Sequence, residues 1–303
     1  MSNKKAAAFR RAMLFSFAAL LMFGGCSMKR MVVNSTALIM DDVIEAFFEE
    51  EDLEFARESA PANLKLLDGL IKGSGYKNDG LLIKGAKLYA MYAMGFLEDA
   101  ALDRRADREN LRRASVFYDR ARDYGLEVLS RNADFKRAVA GTLDEFKAVL
   151  PAFGKNDVEA LFWTGFAWGE YINLNRNSIA AIADLPKVKA LIDRVVELDG
   201  SYFYGIPHLF RIVYYSMPPM FGGDYEKALA EYERINGISG GKFALAHFFM
   251  AKYYAVRVQD EALFDELLKR TEAVADDAIK EKLFTLAAKK KAALLAQKKK
   301  DLF

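Results

Sequence analysis

The sequence predicts an all-α fold, a single domain of degenerate helical repeats wound into a superhelix, and three observations carry that prediction. Apolar residues recur at spacings of three and four over most of the chain. The strict alternation of an exposed strand is absent, and only six prolines occur in 303 residues. Small residues also recur three positions before bulky ones, at Gly85 with Leu88, Gly165 with Trp168 and Ala251 with Tyr254.

The first segment is a targeting signal. Lys4, Lys5, Arg10 and Arg11 precede an apolar stretch, Ala12 to Phe23, broken only by Ser16. That is the layout of a secretory signal, and at 12 residues the stretch is shorter than the roughly 20 that a spanning helix needs. Gly24, Gly25 and Cys26 follow. Cys26, the chain's single cysteine, stands where a lipid-modified cysteine stands after signal cleavage, although Phe23 occupies a position where Leu is usual. The expected organisation is therefore a signal peptide over residues 1–25, a lipidated tether over 26–40 and a helical-repeat domain over 41–303. Ser27, where Asp would retain a lipoprotein at the inner membrane, points to the outer membrane.

Cleavage removes four basic and no acidic residues, leaving 40 Lys and Arg against 42 Asp and Glu. A nearly neutral body lacks the basic excess that displaces phosphate counterions, so nucleic-acid binding is excluded. With no second cysteine the body forms no internal disulfide, and packing alone must hold it.

Along the body, helices are expected over Asp41 to Phe48, over Leu53 to Ile71 with an interruption at Pro61, and over Leu81 to Leu102. In the last of these Gly85, Tyr89, Tyr92 and Phe96 form one stripe. Gly73 to Gly80 reads as a loop, and the charged stretch Asp103 to Glu109 as a separator before the helix carrying Leu111, Ala114, Tyr118, Ala121, Gly125 and Val128. The unit Gly223 to Ala228, with Tyr232 and Ile235, resembles the second helix of a tetratricopeptide repeat, with Asp224 as its N-cap. About four such repeats are expected. Lysines 289–291 and 298–300 flank Leu294 and Leu295 in a final helix that caps the stack.

Enzyme chemistry finds little support. His208 and His247 lie 39 positions apart with no paired-histidine motif, so neither metal nor cofactor is expected. No Gly-x-Ser-x-Gly elbow occurs. Acidic neighbours such as Asp144 and Glu145 point in different directions on a helix, and only distant carboxylates on a helical barrel would leave a glycosidase open.

One candidate ligand site emerges. Tyr202, Phe203, Tyr204, His208, Tyr214, Tyr215, Met217, Met220 and Phe221 exceed what one helix face can bury, and Pro207, Pro218 and Pro219 break regular helix there. Trp163 and Trp168 lie on a helix that Gly165 and Gly169 leave smooth. Together these predict an apolar cavity, with His208, Arg211 or Asn173 placed to bond a polar head.

The order and spacing of a longer set of residues carries a family resemblance. The set comprises Asp52, Leu53, Arg57, Ala60, Pro61, Leu64, Lys65 and Leu66; Leu81, Leu82, Tyr92 and Ala93; Leu161 to Gly165 with Ala167, Trp168 and Gly169; Arg194 to Asp199; Gly205 with His208; Gly222 and Gly223; and Asp301, Leu302 and Phe303. Over essentially the whole mature chain this resembles the TatT component of tripartite ATP-independent periplasmic (TRAP) transporters. Phe162 stands where that family usually has Tyr, and Gly200 and Ser201 where a Pro is common. The resemblance implies a periplasmic, tetratricopeptide-like lipoprotein that forms a homotrimer with apolar pores or cavities. It also implies a TRAP solute-binding protein as partner and a hydrophobic or organic-acid ligand. A repeat lipoprotein that scaffolds envelope assembly by gripping peptides is the alternative.

Overall fold

Helices begin where the sequence supplies an acceptor for free N–H groups. Asp52 takes the amides of Glu54 and Phe55, Asn78 that of Leu81, Asn132 those of Asp134 and Phe135, and Asp260 that of Leu263. Thr142 and Glu145 form a reciprocal capping box. Asp224 accepts from the Lys227 amide at 3.1 Å, the N-cap expected of it.

The computed structural model describes residues 35–36, 39–98 and 104–303. Among them there is no strand. Residues 35–36 are helical, and α1 denotes the helix described over residues 39–48. It is followed by α2 (Leu53–Ser74), α3 (Asp79–Tyr92), α4 (Arg104–Leu129), α5 (Ala133–Val139), α6 (Leu143–Val149), α7 (Val158–Leu174), α8 (Ile179–Ala183) and α9 (Leu185–Asp199). Then come α10 (Tyr202–Gly205), α11 (Pro207–Tyr215), α12 (Tyr225–Ser239), α13 (Ala244–Phe249), α14 (Val256–Val258), α15 (Glu261–Ala273), α16 (Lys282–Gln297) and α17 (Lys299–Leu302). Helix α3 continues into a π-helical turn, Ala93–Leu97, and a second π-helix, Met250–Ala255, joins α13 to α14.

Neighbouring helices pack in series, α2 on α3, α3 on α4, α4 on α7, α7 on α9, α11 on α12, and α13, α15 and α16 on one another. Small residues set the approach. A Cβ at Gly125 would stand 2.0 Å from the Thr164 hydroxyl, and one at Gly85 2.7 Å from the Tyr124 ring. Those glycines let α4 seat on α7 and α3 on α4 as repeat helices require. One continuous apolar core runs through the stack, with Trp163, Tyr89, Tyr118, Phe135, Phe146, Phe162 and Phe264 fully enclosed. Each such side chain contributes about 1.5–3 kcal/mol. The all-α, single-domain expectation holds.

Three local expectations change. Pro61 does not interrupt its helix: α2 runs through it, because Ala56, Ala60, Leu64, Leu67 and Ile71 form an unbroken buried stripe whose packing outweighs the roughly 3 kcal/mol cost of a helical proline. The charged stretch Asp103 to Glu109 is no separator, since α4 begins at Arg104. The helix expected from Asp41 already includes Ile39 and Met40, which had been assigned to the tether. The signal peptide and Cys26 lie outside the described residues. No described helix is long and apolar enough to cross a membrane.

Candidate functional site

Five helices converge on an apolar chamber. Helix α1 supplies Met40, Ile44 and Phe48, four residues apart and therefore on one face, together with Val43 and Phe47. Helix α2 adds Ala60, Asn63 and Leu64, and α3 with its π-turn adds Leu88, Met91, Tyr92, Met94, Gly95 and Phe96. Leu245 comes from α13, and Leu283, Phe284, Ala287 and Lys291 from one face of α16. The Phe48 and Phe284 rings meet across it at 5.6 Å.

The π-turn shapes this space. The Glu98 amide reaches back five residues to the Ala93 carbonyl at 3.0 Å, widening the helix. At Gly95 a Cβ would meet nothing within 4 Å. As folded, the chamber leaves about 60 Å³ for the centres of water-sized spheres. Methionines and aromatic rings dominate its wall, which suits apolar groups of varied shape. Among the described lining residues Lys291 carries the charge, and its side chain is largely buried.

A buried polar cluster lies at the far end of the same π-turn. Glu98 accepts a short hydrogen bond from the Tyr118 hydroxyl. Glu170 accepts from Asn173 Nδ2 at 3.0 Å, and Lys252 and Tyr253, on the second π-helix, approach both carboxylates. Burial, reinforced by the charge of Glu98, pushes the Glu170 carboxyl up to about 7. Burial and the same carboxylates raise the Tyr118 hydroxyl well above the ordinary range. Burial works against the Lys252 ammonium, but Tyr253, Glu98 and Glu170 outweigh it and raise its pKa.

The residues singled out from the sequence do not form one cavity, and none of them lines this chamber. Trp163 is enclosed, and its indole N–H donates to the Tyr202 hydroxyl at 3.1 Å. Trp168 is buried edge-on to Phe146. Asn173 belongs to the polar cluster. The Tyr204 hydroxyl donates to Glu281 at 2.9 Å. His208 Nδ1 bonds Glu231, and Arg211 bridges Glu231 at 3.0 Å and Asp193 at 2.9 Å. Tyr214 and Tyr215 stack edge to face at 5.5 Å, Tyr215 being buried. Met217 is half-buried, and Phe221 is 61% exposed beside Met220. The space beside Gly165 and Gly169 is filled by Ile192 and Phe210, so the smooth helix face packs against protein.

Part of the set stands one ring behind the chamber. Phe203 and Tyr204 adopt left-handed backbone conformations, φ 44° and 59°. This turns Phe203 against Phe284 at 5.0 Å and Tyr204 against Phe243 at 5.8 Å. Lys87 lies 5.7–5.9 Å from the centres of the Phe48, Trp163 and Phe203 rings, tying that layer to the wall. Of the chamber residues, the sequence had drawn attention to Ala60, Leu64, Leu88, Tyr92, Phe96 and Lys291, each for a helical stripe, the family resemblance or the lysine-rich tail and none as part of a ligand site.

A wider hollow of about 600 Å³ beside Lys242, His247 and Arg270 is open on the surface. Its polar groups are committed. His247 Nε2–H donates to the Gly241 carbonyl at 3.1 Å, its Nδ1 accepts from Tyr232 at 2.8 Å, and Arg270 pairs with Glu266. The apolar chamber, half open to solvent, is the better ligand site.

Residues 49–303 match the family described as TRAP transporter T-component, and the chain belongs to that family. It is thereby a component of a TRAP transport system, acting in association with the other components of that system on the periplasmic side. It is also 26% identical over 317 residues to an uncharacterized protein of Treponema pallidum (strain Nichols), covering 97% of this chain and 98% of that one.

Proposed function

We propose that this T-component holds an apolar ligand in the α1–α2–α3–α13–α16 chamber and passes it to or from a TRAP solute-binding protein, without catalysing a reaction. The observation that carries the reading is the chamber itself: a half-open, concave wall of methionine, leucine and aromatic side chains, with free space at Gly95. Such a wall suits a ligand that is apolar over much of its length, a lipid-like molecule or an organic acid with an apolar tail. The protein is anchored through lipid on Cys26 to the periplasmic face of the outer membrane, and works as a homotrimer. The low formal charge, +2 over the whole chain, fits a partner that is a protein and a membrane rather than a nucleic acid.

Gly95→Leu tests the ligand site. The new side chain enters open space, so the fold should tolerate it while the chamber fills. The full chain carrying Cys26→Ala is titrated with the fluorescent apolar probe N-phenyl-1-naphthylamine. Saturable binding that falls at least tenfold in Gly95→Leu, with an unchanged melting temperature, supports the reading. Absence of saturable binding to the parent chain overturns it.

A further inference from the structure

Helix α1 differs from the other four walls of the chamber in two respects. It is held on one side, by Met40, Ile44 and Phe48, each 3–8% exposed, with Phe47 partly buried and Val43 at the chamber rim, while Asp41, Asp42 and Glu45 face solvent. Its polar attachments include ion pairs whose acidic members are exposed. Asp41 meets Lys84 at 2.9 Å, Glu45 pairs with Lys280, and Glu49, just beyond the helix, lies 3.4 Å from the same Lys280. Exposed pairs of this kind are weak and screened by salt.

The chamber supplies the reason for such an arrangement. The roughly 60 Å³ it leaves open is far below the several hundred Å³ of sites that enclose a drug-sized ligand. Something must move before a ligand with an apolar tail can enter. Helices α2, α3, α13 and α16 pack against further helices of the stack, so displacing any of them disturbs the continuous core. Helix α1 joins α2 through only Glu49 to Asp52.

We propose that α1 is a displaceable wall of the chamber, latched to the body by Lys280 and Lys84, and that ligand enters and leaves when it swings away about residues 49–52. This rests on the chamber being the ligand site. It adds that access is governed from the end of the domain nearest Cys26, so that whatever engages or pulls that segment sets the exchange rate. Aspartate and glutamate on the outer side of α1 make the latch one-signed: the acids are on the wall and the lysines on the body. Reversing Lys280 should therefore loosen it, and reversing the partners as well should restore it.

The test uses the full chain with Cys26→Ala and a single new thiol, Ile44→Cys, with Met40→Cys as the second reporter should the first disturb packing. Labelling by a charged, water-soluble maleimide reads how often the inner face of α1 is exposed. Lys280→Glu should speed labelling about tenfold, 0.5 M NaCl should speed the parent in the same direction, and Glu45→Lys with Glu49→Lys on the Lys280→Glu background should return the rate toward the parent. Stopped-flow mixing with N-phenyl-1-naphthylamine should show uptake accelerating in step with labelling while the melting temperature of the body stays constant. If probe binds but neither uptake nor labelling responds to Lys280→Glu or salt, the wall is fixed and the inference fails while the ligand site stands. If probe never binds but labelling responds, α1 moves without serving the chamber, and both claims fall.

Discussion

Glu170→Gln isolates the energetic cost of the buried carboxyl between the two π-helices. Its pKa rises from 4.5 to about 7, because burial and the nearby Glu98 carboxylate both oppose ionisation. Below pH 4.5 the group is protonated in folded and unfolded chains alike and costs nothing by linkage. Between pH 4.5 and 7 the folded state binds the extra proton, so stability falls as pH rises, and above pH 7 the full difference has been lost. At 1.36 kcal/mol per unit of pKa, the loss amounts to roughly 3 kcal/mol. Glutamine keeps the shape and an acceptor for Asn173 Nδ2, now 3.0 Å away, but cannot ionise. Urea unfolding of parent and variant at pH 5 and pH 8 gives the difference directly, with other titrating groups common to both chains. The variant should exceed the parent by only about 1 kcal/mol at pH 5 and by roughly 3 kcal/mol at pH 8. An equal difference at the two pH values would refute the reasoning, because the substitution would then act through packing and not through charge.

Three further outcomes follow from the same structure. Cys26→Ala should abolish palmitate labelling and release the protein to the soluble periplasmic fraction, since stable attachment depends on the acyl chains of the modified cysteine; retention in the membrane would place the anchor elsewhere. Trp163→Ala should destabilise by about 3–5 kcal/mol because its ring is fully enclosed and its N–H is bonded to Tyr202, while probe affinity of the folded fraction stays within twofold. Deleting residues 277–303 should lower the melting temperature sharply and abolish probe binding together, because α16 buries Leu283, Phe284, Ala288 and Ala292 and also forms the chamber wall through Leu283, Phe284 and Ala287.

How much of this was legible in the sequence depends on how far each signal reaches along the chain. The stripe Gly85, Tyr89, Tyr92 and Phe96 announces α3 because a helix repeats its environment every three or four residues, and Asp224 announces the start of α12 because a cap acts over three residues. Pro61 misled, since whether a proline breaks a helix depends on burial supplied by partners such as Leu64 and Leu67. The π-turns left no signal, for they consist of residues that favour ordinary helix, Ala93, Met94 and Leu97 among them. The chamber was hidden for a different reason: Met40, Leu88, Leu245 and Phe284 lie on helices up to 244 positions apart in sequence and meet only after folding. The dense aromatic run Tyr202 to Phe221 drew attention by composition. In the structure its members divide among the layer behind Phe284, the His208–Glu231–Arg211 bridge and an exposed turn at Phe221. Local crowding of aromatic residues is not evidence that they share a space.

The most direct test of the central claim is native mass spectrometry of the full, lipidated chain isolated from its own cells, run beside Gly95→Leu. The account predicts a stoichiometric small molecule bound per chain in the parent, apolar over most of its length, and its loss from a Gly95→Leu protein of unchanged melting temperature. An identical complement of bound molecules in the two proteins, or none in the parent together with no saturable uptake of N-phenyl-1-naphthylamine, would contradict it.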